Sequence, residues 1–362
     1  MTGWKRTVRA RFRPARSRRR WLGMAVWPLV LMALAVAIPA IIASPPKASD
    51  SGAHFAETPG VELEETRETI AIPVYRTASG IVERVPLEVY VRGVLAAEMP
   101  ADFEMEALKA QAIAARTYII RRLWLDDRSQ VPVPDALVTD SVTHQAFLNE
   151  EQLRQQEPPG DYARKMSRWN RAVNETAGLI ATYRGEPIQA VFFSTSNGFT
   201  EDSENYFSDT IPYLRSVPSP WDIASPRYEA TVTFSLRQVA AALSLDDNLL
   251  AGLSDGTVEA RVIEKTASGR VKRFRIGDRE FTGRQMRELL GLASSDFVWT
   301  QDHDEVTITT YGYGHGVGMS QWGANGLAQE QKSAADIIAY YYQGVQIEAF
   351  DEERWRQPEK EI

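Results

Sequence analysis

Apolar residues divide the 362-residue chain into regions of different periodicity. Residues 21–43 carry no charged side chain, and a helix of that length would span roughly 35 Å, enough to cross a membrane. Residues 44–68 show no apolar period and are rich in proline, serine, glycine and acid, which predicts a flexible tether. Beyond them, short strand-like and helix-like periods alternate with turn signals. We predict a transmembrane helix followed by one folded domain over 69–348.

The start of that domain contains a predicted hairpin and two predicted helices. The runs TIAIPVYR and IVERV flank the turn TASG, as the two strands of a β-hairpin do. After Pro86, apolar residues recur at helical spacing until Pro100, which stops the helix. A second helix starts near Phe103, with Leu108 and later apolar residues at helical spacing. Glu98 therefore lies at the junction of two helices, where a side chain can be held at the edge of a cleft.

The rest of the domain mixes helices with hairpins. Further strands and helices are predicted within 169–198, 228–243, 258–291 and 333–344, the last ending at Gly344. No regular alternation of strand and helix is present, which argues against a parallel sheet. We predict an α+β fold, one mixed helix and hairpin domain with a smaller lobe at 227–300 and a charged tail at 349–362.

The charge of the chain is distributed unevenly. The net charge is −7, but residues 1–20 contain nine Lys or Arg and no acid, so the remainder carries −7 − 9 = −16. An acidic body argues against a nucleic-acid ligand, which needs positive grooves. Because the basic run directly precedes the apolar stretch, the positive-inside rule predicts a cytoplasmic tail at 1–20, an uncleaved anchor at 21–43 and a domain outside the membrane.

Few side chains suit metal or thiol chemistry. The chain has no cysteine, which excludes disulfides, thiolate ligands and a thiol nucleophile. Of the four histidines, His54 and His303 stand among polar residues, while His144 and His315 stand in patterned segments. None belongs to an HExxH or comparable spacing, so we predict no metal and no cofactor. A metal-dependent hydrolase is the weaker alternative, and it requires His144 and His315 within about 4–5 Å of each other around a tetrahedral ion.

Glu98 is the first candidate for catalysis. It stands in AAEMP at the carbonyl end of a predicted helix, where the helix dipole repels an anion. That repulsion and the apolar neighbours predict a raised pKa and a carboxyl group that is protonated near neutrality. A protonated acid in a cleft is what general-acid cleavage of a glycosidic bond requires. The alternative is a partly exposed acid at a helix end without a function.

Two later segments suit a polar ligand. FFSTSNGFTEDSENYF, residues 192–207, places hydroxyls, amides and carboxylates beside aromatic rings, which is typical of carbohydrate binding, although a polar turn at Asn197-Gly198 is the alternative. It contains no GxSxG serine elbow. In YGYGHGVG, residues 311–318, glycine occupies every second position, which predicts an extended segment with one face of bare backbone open to a ligand. No Gly-Lys-Ser/Thr follows, so it is not a phosphate loop.

Four stretches resemble the stage II sporulation protein D family and its amidase-enhancer relatives. They are VYVRGVLAAEMPADFEMEALKAQAIAARTY, DSVTHQAF, FFSTSNGFTEDSENYF and YGYGHGVGMSQWGANGLAQ, in this order within residues 69–347. The resemblance implies a membrane-anchored lytic transglycosylase that cleaves the MurNAc–GlcNAc bond of peptidoglycan and leaves 1,6-anhydro ends, acting on peptide-free glycan strands during engulfment in endospore formation. It implies that Glu98 is the catalytic acid. It also implies a mother-cell membrane location facing the septum, and as partners an amidase (stage II sporulation protein P) and a membrane scaffold (protein M).

The remaining candidate residues are expected to contact the glycan. A lytic transglycosylase needs one acid that later acts as base, whereas a hydrolase needs a second carboxylate about 5–9.5 Å away, for which Glu201 or Glu204 are candidates. Spacing places Lys109 and Arg116 on one helix face, where salt bridges are an equal alternative. A non-catalytic glycan-binding activator of an amidase is the second hypothesis. The predicted substrate contacts are Lys109, Gln111, Arg116, His144, Ser194, Ser196, Asn197, Glu201, Glu204, Tyr313, His315 and Gln321.

Overall fold

The computed structural model describes residues 63, 70–207 and 209–351. The predicted tail at 1–20 and anchor at 21–43 lie outside these residues, as does the tether apart from Leu63. Within the described residues, no helix is both long and apolar enough to cross a membrane. The membrane anchor and the location of the chain therefore stay predictions.

The domain begins with the hairpin and the two helices predicted from the sequence. Strands β1 (Ala71–Arg76) and β2 (Ile81–Pro86) pair antiparallel, and α1 (Leu87–Glu98) follows directly. Met99 is extended, which ends α1 and leaves Glu98 as its last residue. Helix α2 (Met105–Leu125) starts after a short connection. The prediction that Glu98 lies at the junction of two helices is confirmed.

Two helices precede the second sheet. They are α3 (Glu150–Gln156) and α4 (Pro159–Asn174), and α3 starts with a capping box between Asn149 and Gln152. No helix was predicted within 135–165, because this polar region has no apolar period long enough to reveal one. The strand β3 (Val138–Thr139) lies between α2 and α3 and pairs parallel with β1.

The next strands along the chain pack against α2. Strands β4 (Leu179–Tyr183), β5 (Glu186–Pro187) and β14 (Gln346–Ala349) form an antiparallel sheet in the order β14-β4-β5. A separate parallel pair joins β6 (Phe192–Phe193) to β13 (Met319–Ser320), which brings the two polar segments of the sequence together.

The segment between these strands forms its own sheets. Strand β7 (Glu229–Ser235) joins β12 (Glu305–Tyr311) and β11 (Phe297–Asp302), and β8 (Ala260–Lys265), β9 (Val271–Ile276) and β10 (Arg279–Thr282) form a second antiparallel sheet. Three helices pack among them: α5 (Leu236–Leu243), α6 (Asp247–Asp255) and α7 (Gly283–Leu290). The capping boxes of α5 and α7 involve Ser235 with Gln238 and Thr282 with Gln285.

Two helices precede β14 near the end of the described residues. Helix α8 (Gln321–Gln329) follows β13, and α9 (Ala334–Tyr341) starts at the cap Ser333. The predicted end of α9 at Gly344 is wrong, because Tyr342 is extended. Its buried hydroxyl donates to the carbonyl of Val191 at 2.8 Å, which holds the ring in the interior instead of continuing the helix.

The described residues bury two hydrophobic clusters. The first surrounds α2, which contacts α1, α4, α8, α9 and β4, and includes Leu95, Leu108 and Ile337. The second draws on residues 236–308 and includes Phe274 and Phe297. Both belong to one compact unit, 59–362. The fold is thus a mixed helix and sheet domain with two cores, and the predicted boundaries of the domain and its lobe stay predictions.

Candidate active site

Glu98 is a half-buried carboxyl group with few partners. Its Oε1 accepts one hydrogen bond, from the backbone N–H of Ala146 at 3.1 Å, and it forms no ion pair within the described residues. Burial raises the pKa of Glu98, while the Ala146 N–H and the nearby Gln321 side chain lower it, and burial is the largest effect. The raised pKa of Glu98 was predicted from the helix dipole and the apolar neighbours, and in the structure its largest cause is burial.

Unused amide donors lie near this carboxyl group. Gln321 is the first residue of α8, and its buried Nε2 makes no hydrogen bond of normal geometry within the described part of the chain. Gln145, directly before Ala146, accepts from the Tyr90 hydroxyl at 3.1 Å, and its own Nε2 is also buried without a partner there.

Packing places the Ala146 N–H at Glu98. The ring of Phe147 stacks on Tyr90, with centroids 5.4 Å apart, and lies over Gly93 on the same helix. A Cβ on Gly93 would lie 2.3 Å from Phe147, so only glycine leaves room for the ring. The N–H of Leu148 donates to the Gly93 carbonyl at 3.3 Å. The loop that carries Ala146 is therefore held against α1 by one aromatic residue and one glycine.

His144 fixes the start of this loop through hydrogen bonds to backbone groups. Its Nδ1 accepts the backbone N–H of Thr139 at 3.2 Å, which makes Nε2 the protonated nitrogen that donates to the carbonyl of Ser129 at 3.1 Å. Burial lowers the pKa of His144, so the ring is neutral at pH 7. The described contacts of His144 are thus with protein groups, and a glycan contact stays a prediction.

The three predicted residues of α2 are buried or paired. Lys109 pairs with Glu106 at 2.8 Å and with Glu175. Arg116 is fully buried and forms a bidentate pair with Glu88 at 2.9 and 2.6 Å, which joins α2 to α1. Gln111 is also fully buried, and neither amide atom has a partner within the described residues. The salt-bridge alternative describes what Lys109 and Arg116 do in this structure.

A buried aspartate organises the STSN segment. Asp222 is fully buried and accepts the backbone N–H of Ser196 at 2.7 Å and the hydroxyls of Ser219, at 2.5 Å, and Ser320. Burial raises the pKa of Asp222. Ser320 also caps α8, so this cluster sets where Gln321 begins its helix. Sequence reasoning missed Asp222, whose only signal was an acid inside an apolar run.

The other polar residues of the segment connect the two cores. The Ser194 hydroxyl lies 3.2 Å from that of Thr195, and the Asn197 amide donates to the carbonyl of Ser268 and to Asp296, both at 2.8 Å. Ser268 belongs to the turn between β8 and β9. The amide predicted to contact glycan is therefore occupied by protein groups in this structure.

Neither Glu201 nor Glu204 is an unpartnered carboxylate. Glu201 is buried and accepts from two hydroxyls of the second core, Thr266 at 2.7 Å and Ser268 at 2.6 Å, besides two nitrogens of its own segment, those of Asp202 and Asn205. Glu204 pairs with Arg215 at 2.5 Å, and hydrogen bonds from that guanidinium lower its pKa to about 2. Glu204 is therefore ionised at neutral pH.

The alternating glycines accommodate the chain itself. Gly312, Gly314 and Gly318 have positive φ, and a Cβ on each would lie 2.9, 2.8 and 2.1 Å from atoms of Thr195, Phe193 and Val191 respectively. The prediction of a bare face open to a ligand is wrong for these three positions, because the segment 191–195 covers that face.

Tyr313 and His315, which alternate with the glycines, have different surroundings. Tyr313 is exposed, with the Arg227 guanidinium 4.7 Å from its ring centre. The Nδ1 of His315 accepts the N–H of Val317, its Nε2 faces the Phe192 carbonyl at 3.0 Å, and burial lowers its pKa to about 4. His315 and His144 have different neighbours, and no group of three or more potential metal ligands occurs in the residues the structure covers.

Comparisons with known proteins fit this arrangement. A family model described as a stage II sporulation protein matches residues 75–183, which include Glu98 and Ala146. A stage II sporulation protein D of Bacillus amyloliquefaciens is 46% identical over 295 residues, covering 82% of this chain and 83% of that protein. The chain belongs to the stage II sporulation protein D family. The protein of the same name from Bacillus subtilis is 45% identical over 282 residues, 78% of this chain and 80% of that protein.

A more distant relative carries another name. A Bacillus subtilis protein named amidase enhancer is 28% identical over 312 residues, 72% of this chain but 40% of that protein. The matched family range ends at residue 183, so within this sporulation protein D family member Gln321 and the 192–207 segment lie beyond it. Gln321 therefore comes from outside the matched range, and the tertiary fold places its side chain near the Glu98 carboxyl.

Proposed function

We propose that the chain is a membrane-anchored lytic transglycosylase of the bacterial cell wall. It cleaves the MurNAc–GlcNAc bond of peptide-free glycan strands and leaves 1,6-anhydro ends, in the remodelling of septal peptidoglycan during engulfment in endospore formation. The observation that carries the proposal is the Glu98 carboxyl group, which is half-buried with a raised pKa and free of ion pairs among the described residues. The sporulation role follows the name of the relatives that are 45–46% identical.

The chemistry needs one carboxyl group. Glu98 donates its proton to the glycosidic oxygen as the bond from that oxygen to the muramic C1 breaks. It then takes the proton of the muramic C6 hydroxyl while that oxygen bonds to C1, so the carboxyl group is regenerated and no water is consumed. The Ala146 N–H at 3.1 Å stabilises the carboxylate that exists between the two transfers.

The partners of the two other candidate acids favour this route over hydrolysis. A hydrolase would use a second carboxylate as nucleophile or as base for water. Glu201 accepts four hydrogen bonds and Glu204 is held by Arg215. Glu201 would have to give up a protein hydrogen bond to bind a catalytic water, and Glu204, with its pKa lowered to about 2, is a weak base.

A second candidate function is a non-catalytic activator of a cell-wall amidase. It is favoured by the 28% identity to the protein named amidase enhancer. In either function the partners we propose are an amidase (stage II sporulation protein P), the scaffold protein M, and peptidoglycan strands. The location we propose is the mother-cell membrane, with the tail at 1–20 cytoplasmic and the domain facing the septum.

The deciding experiment uses the full-length chain in detergent, its Glu98→Gln variant and a Glu104→Gln control at an exposed acid nearby. Each is incubated with peptide-free glycan strands, and the products are measured by mass spectrometry. We expect anhydro-ended fragments from the unchanged chain and the control, with a rate about 10²–10⁴-fold lower for Glu98→Gln. Fragments heavier by one water would establish hydrolysis instead. Strand binding without cleavage by the unchanged chain would favour the activator.

A further inference from the structure

A cavity lies between the two cores, in a place that the proposed reaction at Glu98 does not use. It has a volume of about 360 Å³, which is within the range of small-ligand sites. Its walls come from the segment after Asn197 and from the sheet and helix of the second core, including Glu201, Arg270 and Gly283. Glu98 does not line it.

Arg270 is the buried cation of this cavity. The residue is only 2% exposed, yet it forms no ion pair with any described carboxylate. Of its five N–H donors, one has a described partner, from Nη1 to the Ser268 hydroxyl at 2.9 Å, and Nε is buried without an acceptor. A buried guanidinium with unused donors is costly unless an acceptor binds it. The cavity wall therefore presents a buried guanidinium whose donors are mostly without a described acceptor.

The glycine-alternating segment makes room for this side chain. A Cβ on Gly316 would lie 2.6 Å from both Cζ and Nε of Arg270, so the guanidinium lies directly on the glycine backbone. Gly283 plays a similar part at the opposite wall, because its Cβ would lie 1.9 Å from the carbonyl oxygen of Val271. These two close approaches show that the cavity wall is built by tight packing at both sides.

The charged residues that line the cavity mostly occur in ion pairs. Lys272 pairs with Glu264, Arg284 with Glu288 and Glu204 with Arg215. The two lining charges that remain are Arg270 and Glu201, and Glu201 already accepts four hydrogen bonds from protein donors. The donors left for a ligand are therefore those of Arg270. The positive surroundings act on His315, whose pKa is lowered by burial and further by Arg287, Arg270 and Arg284.

We propose that this cavity binds the lactyl carboxylate of a muramic acid residue in the glycan, with Arg270 as its principal partner. The inference rests on the proposed glycan substrate. A carboxylate accepts two parallel N–H bonds from a guanidinium, which matches the Arg270 donors that have no described partner. In a strand that keeps its stem peptides this carboxylate is an uncharged amide. The site therefore distinguishes peptide-free strands from substituted ones.

The test measures binding with the full-length Glu98→Gln chain in detergent, so that cleavage does not interfere. Three fluorescent strands of equal length are titrated at low salt: peptide-free strands, the same strands with lactyl carboxylates converted to methylamides, and strands with stem peptides. We expect the peptide-free strands to bind about tenfold more tightly than the methylamides, the gain of one charge-assisted bond of about 1.4 kcal/mol. Equal affinities would overturn the proposal. Tightest binding of peptide-bearing strands would overturn the assignment to the lactyl group.

Two variants test whether Arg270 causes the preference for strands with free carboxylates. Arg270→Gln, made in the Glu98→Gln chain, should lose the tenfold preference, whereas Arg275→Gln should keep it, because Arg275 lies on the same strand in an exposed pair with Glu280. Arg270→Gln can fail to fold, which its melting temperature would reveal, and the comparison of strands still decides the proposal with Arg270 intact. A preference for carboxylates in a chain that releases no anhydro products would refute the transglycosylase and leave this site in place.

Discussion

Two glutamates of this chain, Glu98 half-buried and Glu201 fully buried, have opposite surroundings. Glu98 stands at the end of α1 with one backbone hydrogen bond and a nearby amide whose donor is unused. Glu201 is 2% exposed and accepts four hydrogen bonds from both sides of the boundary between the cores. In our proposal the same residue type serves chemistry at Glu98, whereas at Glu201 it joins the two cores. Burial raises the pKa of a carboxyl group, and so keeps its proton available for catalysis, only where few hydrogen-bond donors stabilise the carboxylate.

The same substitution at both residues gives the largest expected contrast. Glu98→Gln should lower the cleavage rate by about 10²–10⁴-fold and leave the free energy of unfolding nearly unchanged. Glu201→Gln should lower the free energy of unfolding by about 1–3 kcal/mol, because an amide nitrogen replaces an oxygen that accepts hydrogen bonds. Denaturant unfolding and the cleavage assay measure both quantities. Full loss of cleavage in correctly folded Glu201→Gln would remove the contrast.

Gly93→Ala tests the packing of the loop that holds the Ala146 N–H against Glu98. The added methyl would lie 2.3 Å from Phe147, so the ring and its loop must move. We expect about 1–3 kcal/mol of destabilisation and a reduced cleavage rate in the folded fraction. Gly256→Ala is the control, since its Cβ would meet no atom within 4 Å although its φ is positive. Cleavage that is unchanged in the folded Gly93→Ala protein would show that the loop does not support Glu98.

Gln321→Ala should move the alkaline limb of the pH–rate profile. The Gln321 side chain lowers the pKa of Glu98, so removing it raises that pKa further. A general acid remains protonated up to its pKa, so kcat/KM should fall at a pH higher by less than about one unit. A shift toward lower pH would contradict the contact. Gln343→Ala, at an exposed glutamine near the C-terminus, serves as control.

Glu204→Gln should have the smallest effect. Its pKa of about 2 lies below the ordinary 4.5, so the Arg215 pair contributes stability above the pKa of the unfolded chain and loses it as pH falls from about 4.5 toward about 2. Because both side chains are partly exposed, we expect about 0–1 kcal/mol at pH 7 and none near pH 2. Denaturant midpoints at both pH values measure this, and a larger loss at low pH would contradict the sign.

Local signals predicted the elements on which the site is built. Pro86 and Pro100 bracket α1, so its last residue could be placed from the sequence. The Ala146 donor could not, because it reaches Glu98 from 48 residues away through the stacking of Phe147. Asp222 was hidden for the same reason, since its three donors come from separate segments. Periodicity reports which face of an element is buried, but not which distant backbone group will meet it.

The glycines at 312, 314, 316 and 318 fix the length of their segment. Each lies where a neighbour leaves no room for a Cβ: Thr195, Phe193, Arg270 and Val191 in turn. Inserting or deleting one residue would exchange every glycine with a side-chain position, and all the contacts would clash at once. Of the intervening residues, Tyr313 is exposed, whereas His315 is hydrogen-bonded on both ring nitrogens and Val317 is fully buried. Variation in this family should therefore occur here by substitution at position 313, while the number of residues stays constant.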